Sequence, residues 1–186
     1  MGISRHVIFC TFAISLLAVS SAWSGAINDR EYALKAAYIY NFTKFVEWPH
    51  ANEPVRPTFS IGILGNDPFG ASIDSTIVGK TVEGRRIIIE RFPDIEALRR
   101  SARPVDIIFI GALIPDSLSA ALEYTRNLPI LTIGDSPGFC EKGGVISFVI
   151  RKNHIRLEIN RAAAERAELR ISSKLMQLAS RPGENE

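Results

Sequence analysis

Residues 105–133 read VDIIFIGALIPDSLSAALEYTRNLPILTI. Val105 to Ile110 is a short β-rich run, and Pro129 to Ile133 is a second one. Between them, Pro115 to Asn127 has the length and composition of a helix with proline in its first turn, where a missing N–H costs nothing. Two parallel strands need a dozen or more residues to connect, and a helix is the usual bridge. This stretch is therefore a strand–helix–strand unit of a parallel sheet with helices on its faces.

The same alternation extends upstream. Phe59 to Leu64 (FSIGIL) is a strand, and Gly65-Asn66-Asp67-Pro68 is a turn whose Asn and Asp can cap a helix running on through Ile73 to Val78. Gly79 to Gly84 (GKTVEG) is a turn, followed by Arg86 to Arg91, whose centre is Ile87, Ile88 and Ile89. Continuous apolar runs of this kind suit strands buried on both faces. Asp94 caps a short helix that ends at Ser101.

Downstream, Val145 to Ile150 and Ile155 to Ile159 are separated only by Arg151-Lys152-Asn153-His154, which permits a hairpin and forbids a parallel crossover. Arg161 to Ala179 closes the chain as a helix with Ala164, Ala167, Ile171, Leu175 and Leu178 as its apolar stripe. Tyr32 to Pro49 (YALKAAYIYNFTKFVEWP) reads as an amphipathic helix. Its aromatics Tyr38, Tyr40, Phe42, Phe45 and Trp48 spread round more than one face, so it is expected to be covered on more than one side. The predicted fold is α/β: a three-layer α/β/α sandwich on a mostly parallel sheet of about six strands, five parallel and one antiparallel in an edge hairpin.

Val7 to Val19 is an apolar run behind Arg5, and small residues follow it from Ser20 to Ala26. That layout is a secretory signal peptide, too short to span a membrane, so residues 1–26 are expected to be cleaved and residues 27–186 to form one domain in the periplasm, with no membrane insertion afterwards. With Arg5 and the signal removed, 21 basic residues face 20 acidic ones. A near-neutral chain with scattered arginines lacks the footprint of a nucleic-acid binder. Cys10 leaves with the signal, and Cys140 is then the only cysteine, so the core must hold the fold without disulfides.

Candidate chemistries are sparse. Gly62-Ile63-Leu64-Gly65 lacks the G-x-G-x-x-G pattern, no Walker-type lysine follows, and no cofactor is implied. Asp67, Asp106 and Lys80 do not make a phosphoacceptor site, since Asp106 begins its strand instead of ending it. His50 and His154 lie far apart, without metal-ligand spacing. Ser136 in Gly134-Asp135-Ser136-Pro137-Gly138 lacks nucleophile-elbow spacing, and Pro137 removes an amide that an oxyanion hole would need. No catalytic residue is assigned. Asp67 and Asp135 follow strands at the sheet's carboxyl edge, where α/β ligand pockets form. The loop from Leu131 to Gly144 carries Phe139, Cys140, Glu141 and Lys142, with Phe139 as either a binding hot spot or a core plug. Arg151, Lys152 and Arg156 of the hairpin supply charge for a polar rim, and with the loop they make the candidate partner-binding surface.

The K-A-A-Y-x-Y-N-F-x-K-F-V-E-W-P pattern of residues 35–49 resembles the start of the mature domain in the YfiR/HmsC family. The resemblance continues in order through ILGNDPF (63–69), GKTVEGR (79–85), the T-I-G-D and G-F-x-x-x-G-G elements of 131–144, IRLEIN (155–160) and ISSKLMQLA (171–179). It implies a non-enzymatic periplasmic regulator that holds an inner-membrane diguanylate cyclase inactive through its periplasmic region and is sequestered by an OmpA-like outer-membrane lipoprotein. It thereby implies control of cyclic-di-GMP and biofilm. Family members with several cysteines can use disulfides, whereas Cys140 alone excludes an intramolecular redox switch. Two other readings remain open: a ligand-binding sensor acting on a histidine kinase or other receptor, and a hydrolase dependent on Asp67 or Asp135. A homodimer through the first and last helices is also expected, from their apolar stripes. Mass spectrometry of exported protein should find a mature N-terminus between Ala22 and Ile27; retention of residues 7–19 would contradict the signal assignment.

Overall fold

The computed structural model describes residues 29–49, 56–113 and 115–180, so the signal segment lies outside the described residues. Five parallel strands form the centre: β2 (Thr58–Leu64), β4 (Arg85–Phe92), β5 (Ile107–Ile110), β6 (Leu131–Gly134) and β7 (Ile146–Arg151), in the spatial order β4-β2-β5-β6-β7. β8 (His154–Ile159) returns antiparallel to β7. Its two-residue turn places Lys152 and Asn153 at φ 49° and 61°, the left-handed conformation that matches strand twist.

The sheet has eight strands, not about six. β3 (Thr81–Val82) adds antiparallel to β4 at one end, inside the stretch expected to be only a turn; the turn itself shrinks to Glu83 and Gly84, both at positive φ. β10 (Ala179–Ser180) adds parallel to β8 at the other end, so the hairpin is not the outermost element.

Helices cover both faces, as the alternation requires. On one face, α1 (29–42) and α2 (Ala71–Ile77) pack Ala36, Ile39, Phe42, Ile73 and Ile77 onto Ile61, Ile63, Ile107, Phe109, Ile133 and Phe148. On the other, α3 (Ile95–Arg99) and α4 (Pro115–Thr125) bring Leu98, Leu118 and Leu122 against Leu64, Ile108 and Ile110. Asp94 caps α3 as predicted, accepting from the Ala97 amide at 2.7 Å. α2 has no side-chain cap; Asp67 instead accepts from the Phe69 amide within the turn.

Two helices are shorter than their apolar patterns suggest. α1 ends at residue 42, where the Thr43, Lys44 and Phe45 amides tighten onto the Tyr40, Asn41 and Phe42 carbonyls. The Thr43 hydroxyl also takes the Tyr40 carbonyl, at 2.7 Å, competing with helical continuation. The chain then enters β1 (Val46–Glu47), which pairs with β9 (Arg170–Ile171). Phe45 and Trp48 therefore do not stand on the helix, whose buried side is one stripe flanked by half-buried Tyr32, Tyr38 and Tyr40. The expected helix Arg161 to Ala179 is interrupted by Glu168 at φ 57° and divides into α5 (Arg161–Arg166), β9 and α6 (Ser173–Gln177), with Ser172 capping α6. Ala164, Ala167, Leu169 and Leu175 reach the core all the same, because the broken chain folds back onto one face.

Asp106, fully buried at the amino end of β5, gathers the neighbouring segments. Its carboxylate accepts from Arg56 (2.7 Å) and the Ser60 amide (2.7 Å) and lies 3.5 Å from Arg85, while its carbonyl accepts from Trp48 Nε1 (3.0 Å) and the Leu131 amide (2.9 Å). Asp106→Asn removes the buried charge that Arg56 and Arg85 share and should cost about 3 kcal/mol. Urea titration read by circular dichroism checks this; an unshifted midpoint would refute it.

Candidate functional site

In the order β4-β2-β5-β6-β7, the direction of winding reverses between β2 and β5, the place where open parallel sheets usually bind ligands. Here that crevice is filled. A Cβ on Gly111 would collide with the Asn66 carbonyl, and one on Gly65 would come within 2.5 Å of Leu113. The loops after β2 and β5 thus close on each other.

One accessible concavity lies two strands away, beside the end of β6. A cleft of about 510 Å³ is lined by Glu31, Tyr32, Lys35, Asp135, Phe148 and Ile150, among others. Lys35 shares a helical stripe with Ile39 and Phe42, so burying that stripe carries the lysine inward. Its ammonium lies 2.6 Å from Glu31 and 2.7 Å from Asp135 and stands 4.2 Å from the Tyr32 ring centre. Tyr32 donates to the same Asp135 oxygen at 2.8 Å. Burial first, and then this bond to Asp135, hold the Tyr32 phenol above the usual tyrosine range. Asp135 is engaged by a phenol and an ammonium, and the phenol keeps its proton, so the cluster is chemically a clamp that fixes α1 to the sheet. A lysine on an apolar helical stripe was the sequence signal for it.

Asp67 is not part of this cleft. It binds Arg91 at 2.7 Å, and Arg91 also reaches Asp74 at 2.6 Å, so the two candidate pocket aspartates serve separate contacts. The candidate partner residues also divide. Phe139 is fully buried against Gly134 and Gly144, where any Cβ would strike its ring, so the aromatic is a core plug and not an exposed hot spot. Cys140 is equally buried, its thiol facing the Val145 and Glu158 carbonyls. Burial, assisted by the Glu158 carboxylate, pushes that thiol up to about 12. Glu141, Lys142, Lys152 and Arg156 are exposed, and Arg151 is half-buried with its guanidinium 2.8 Å from Glu158. The loop and the hairpin turn stand at opposite ends of β7.

Phe139→Ala should lower stability by about 3–5 kcal/mol through the cavity left behind, measured by denaturant unfolding. Cys140 should resist alkylation until the chain unfolds. Its folded-state value lies above the ordinary 9.0, so its contribution is intact below pH 9 and is lost as pH rises from 9 towards 12. Cys140→Ala should remove that part of the alkaline loss; an identical alkaline slope would contradict it.

Among the described residues no helix is long and apolar enough to cross a membrane, and no group of His, Cys, Asp and Glu is arranged to hold a metal. No curated protein matches the chain. A crystal structure of a conserved domain protein from Vibrio cholerae O1 biovar El Tor strain N16961 is similar at 16% identity and a TM-score of 0.45, over 66% of this chain and 54% of the other. The chain thus spans about half the length of that protein. The YfiR/HmsC-like family model matches residues 32–180, from the clamp tyrosine to the last strand. The chain belongs to the YfiR/HmsC-like family.

Proposed function

We propose that this protein is exported with cleavage of its signal, binds the periplasmic region of an inner-membrane diguanylate cyclase, and holds that enzyme inactive until an OmpA-like outer-membrane lipoprotein captures it. Family membership over residues 32–180 carries this reading. Two exposed charged segments at opposite ends of β7 support it: Glu141 and Lys142 before the strand, Lys152 and Arg156 after it. Surfaces so separated suit a regulator that leaves one partner for another, with Arg151 positioned by Glu158 between them. On the first and last helical segments, exposed apolar residues for a homodimer are Leu34 on α1 and Leu178 just after α6.

Deleting the gene should raise cyclic-di-GMP and biofilm in a strain that carries the cyclase. Lys152→Glu with Arg156→Glu should weaken binding to one of the two partners while the circular dichroism spectrum stays unchanged. An unaltered cyclic-di-GMP level in the deletion strain refutes the repressor reading.

A further inference from the structure

β4 is eight residues long, but β3 covers only its first two, Arg85 and Arg86. On the β2 side, the Arg86 amide bonds to the Pro57 carbonyl and the Phe92 carbonyl accepts from Gly65. Successive residues of a strand turn their N–H and C=O to alternate sides, so the even-numbered residues of β4 face β2 and the odd-numbered ones face outward. Ile89 and Arg91, with the Ile87 carbonyl, therefore direct five backbone donors and acceptors away from the sheet, the Ile87 amide being opposite the Lys80 carbonyl in the β3 register, and no strand among the described residues pairs with them. The open stretch, Ile87 to Arg91, is roughly 16 Å long. Folded proteins usually blunt such an edge with proline, lysine or a bulge. The sequence IIIER has no proline, lysine or glycine, and the Arg91 side chain is held by Asp67 and Asp74.

The side chains indicate what fits. Ile87 and Ile89 belong to the α1 face, and Ile88 is half-buried on the other. Glu90 accepts from the Ser60 hydroxyl at 2.8 Å but has no cation beside it among the described residues. A second copy would match best in the antiparallel register that sets Ile87 opposite Ile89 and Arg86 opposite Glu90. Thr81 already sits beside Arg86, so β3 obstructs that register on both copies. A five-residue strand from another protein meets no such obstruction.

The geometry points to β-strand addition at this edge: a partner protein lays an extended apolar segment of about five residues along Ile87 to Arg91, with a basic residue beside Glu90. The inference rests on the regulator reading and names its mode of contact. The test is residue-resolved amide exchange on the mature protein, alone and with the purified periplasmic region of a membrane diguanylate cyclase from the same organism. In the free protein the Ile89 and Arg91 amides should exchange fast and those of Ile88 and Glu90 slowly; in the complex all four should be slow. Ile89→Pro removes an outward N–H without breaking the β2 ladder and should weaken binding by about tenfold or more. Glu90→Lys should weaken it independently through charge. A complex that forms with the Ile89 and Arg91 amides still fast, and with both variants binding like the parent, overturns strand addition while leaving the regulator reading intact. Slow exchange at these amides in the free protein, or protection that grows with protein concentration alone, also overturns it. Absence of any complex removes the regulator reading and this inference together.

Discussion

The carboxylate of Asp106 accepts from Arg56 and the Ser60 amide and pairs with Arg85 at the amino edge of the sheet, and the carboxylate of Asp135 accepts from Tyr32 and Lys35 at the carboxyl edge. The N-terminal segment is tied to both. Tyr32 and Lys35 anchor the start of α1, and Trp48, past its end, donates to the Asp106 carbonyl while its ring meets Phe59 edge-on at 5.1 Å. The helix between them has one available position, across the strands, with Phe42 stacked on Phe148. A buried carboxylate that lost these donors would cost several kcal/mol, so the two ends hold α1 in register more stringently than its apolar stripe alone could.

That arrangement governs where the protein can meet others. With α1 clamped over β7 and the loops after β2 and β5 packed together, the usual ligand crevice of a parallel sheet is occupied by the protein itself. What remains accessible among the described residues includes the cleft beside Asp135, charged turns at the two ends of β7, exposed apolar side chains such as Leu34 and Leu178, and the outer edge of β4. The charged turns and the open strand edge are features that recognise polypeptide, as the proposed regulator role requires.

Burial also explains the loop after β6. Gly134 and Gly144 leave out two side chains so that Phe139 can enter between them, and the turn that follows brings Cys140 against the start of β7 and the end of β8. Its exposed charges, Glu141 and Lys142, are carried on a rigid base.

By itself the sequence determined the five parallel strands, the βα alternation, the β7–β8 hairpin and the family, because continuous apolar runs, turn residues and ordered motifs are local signals. Tertiary structure alone decided the rest. The apolar spacing of Tyr32 to Trp48 and of Arg161 to Ala179 satisfies a helix, yet both segments break so that Val46 and Ile171 can pair across more than a hundred residues. β3 and β10 are two residues each, too short for any pattern to reveal, and exist because a neighbouring strand supplies their partners. Phe139 reads equally as plug or hot spot until the gaps at Gly134 and Gly144 meet it. Lys35 becomes a clamp only when folding brings Asp135, one hundred residues away, to its ammonium, since a charge can be buried only where its partner already stands.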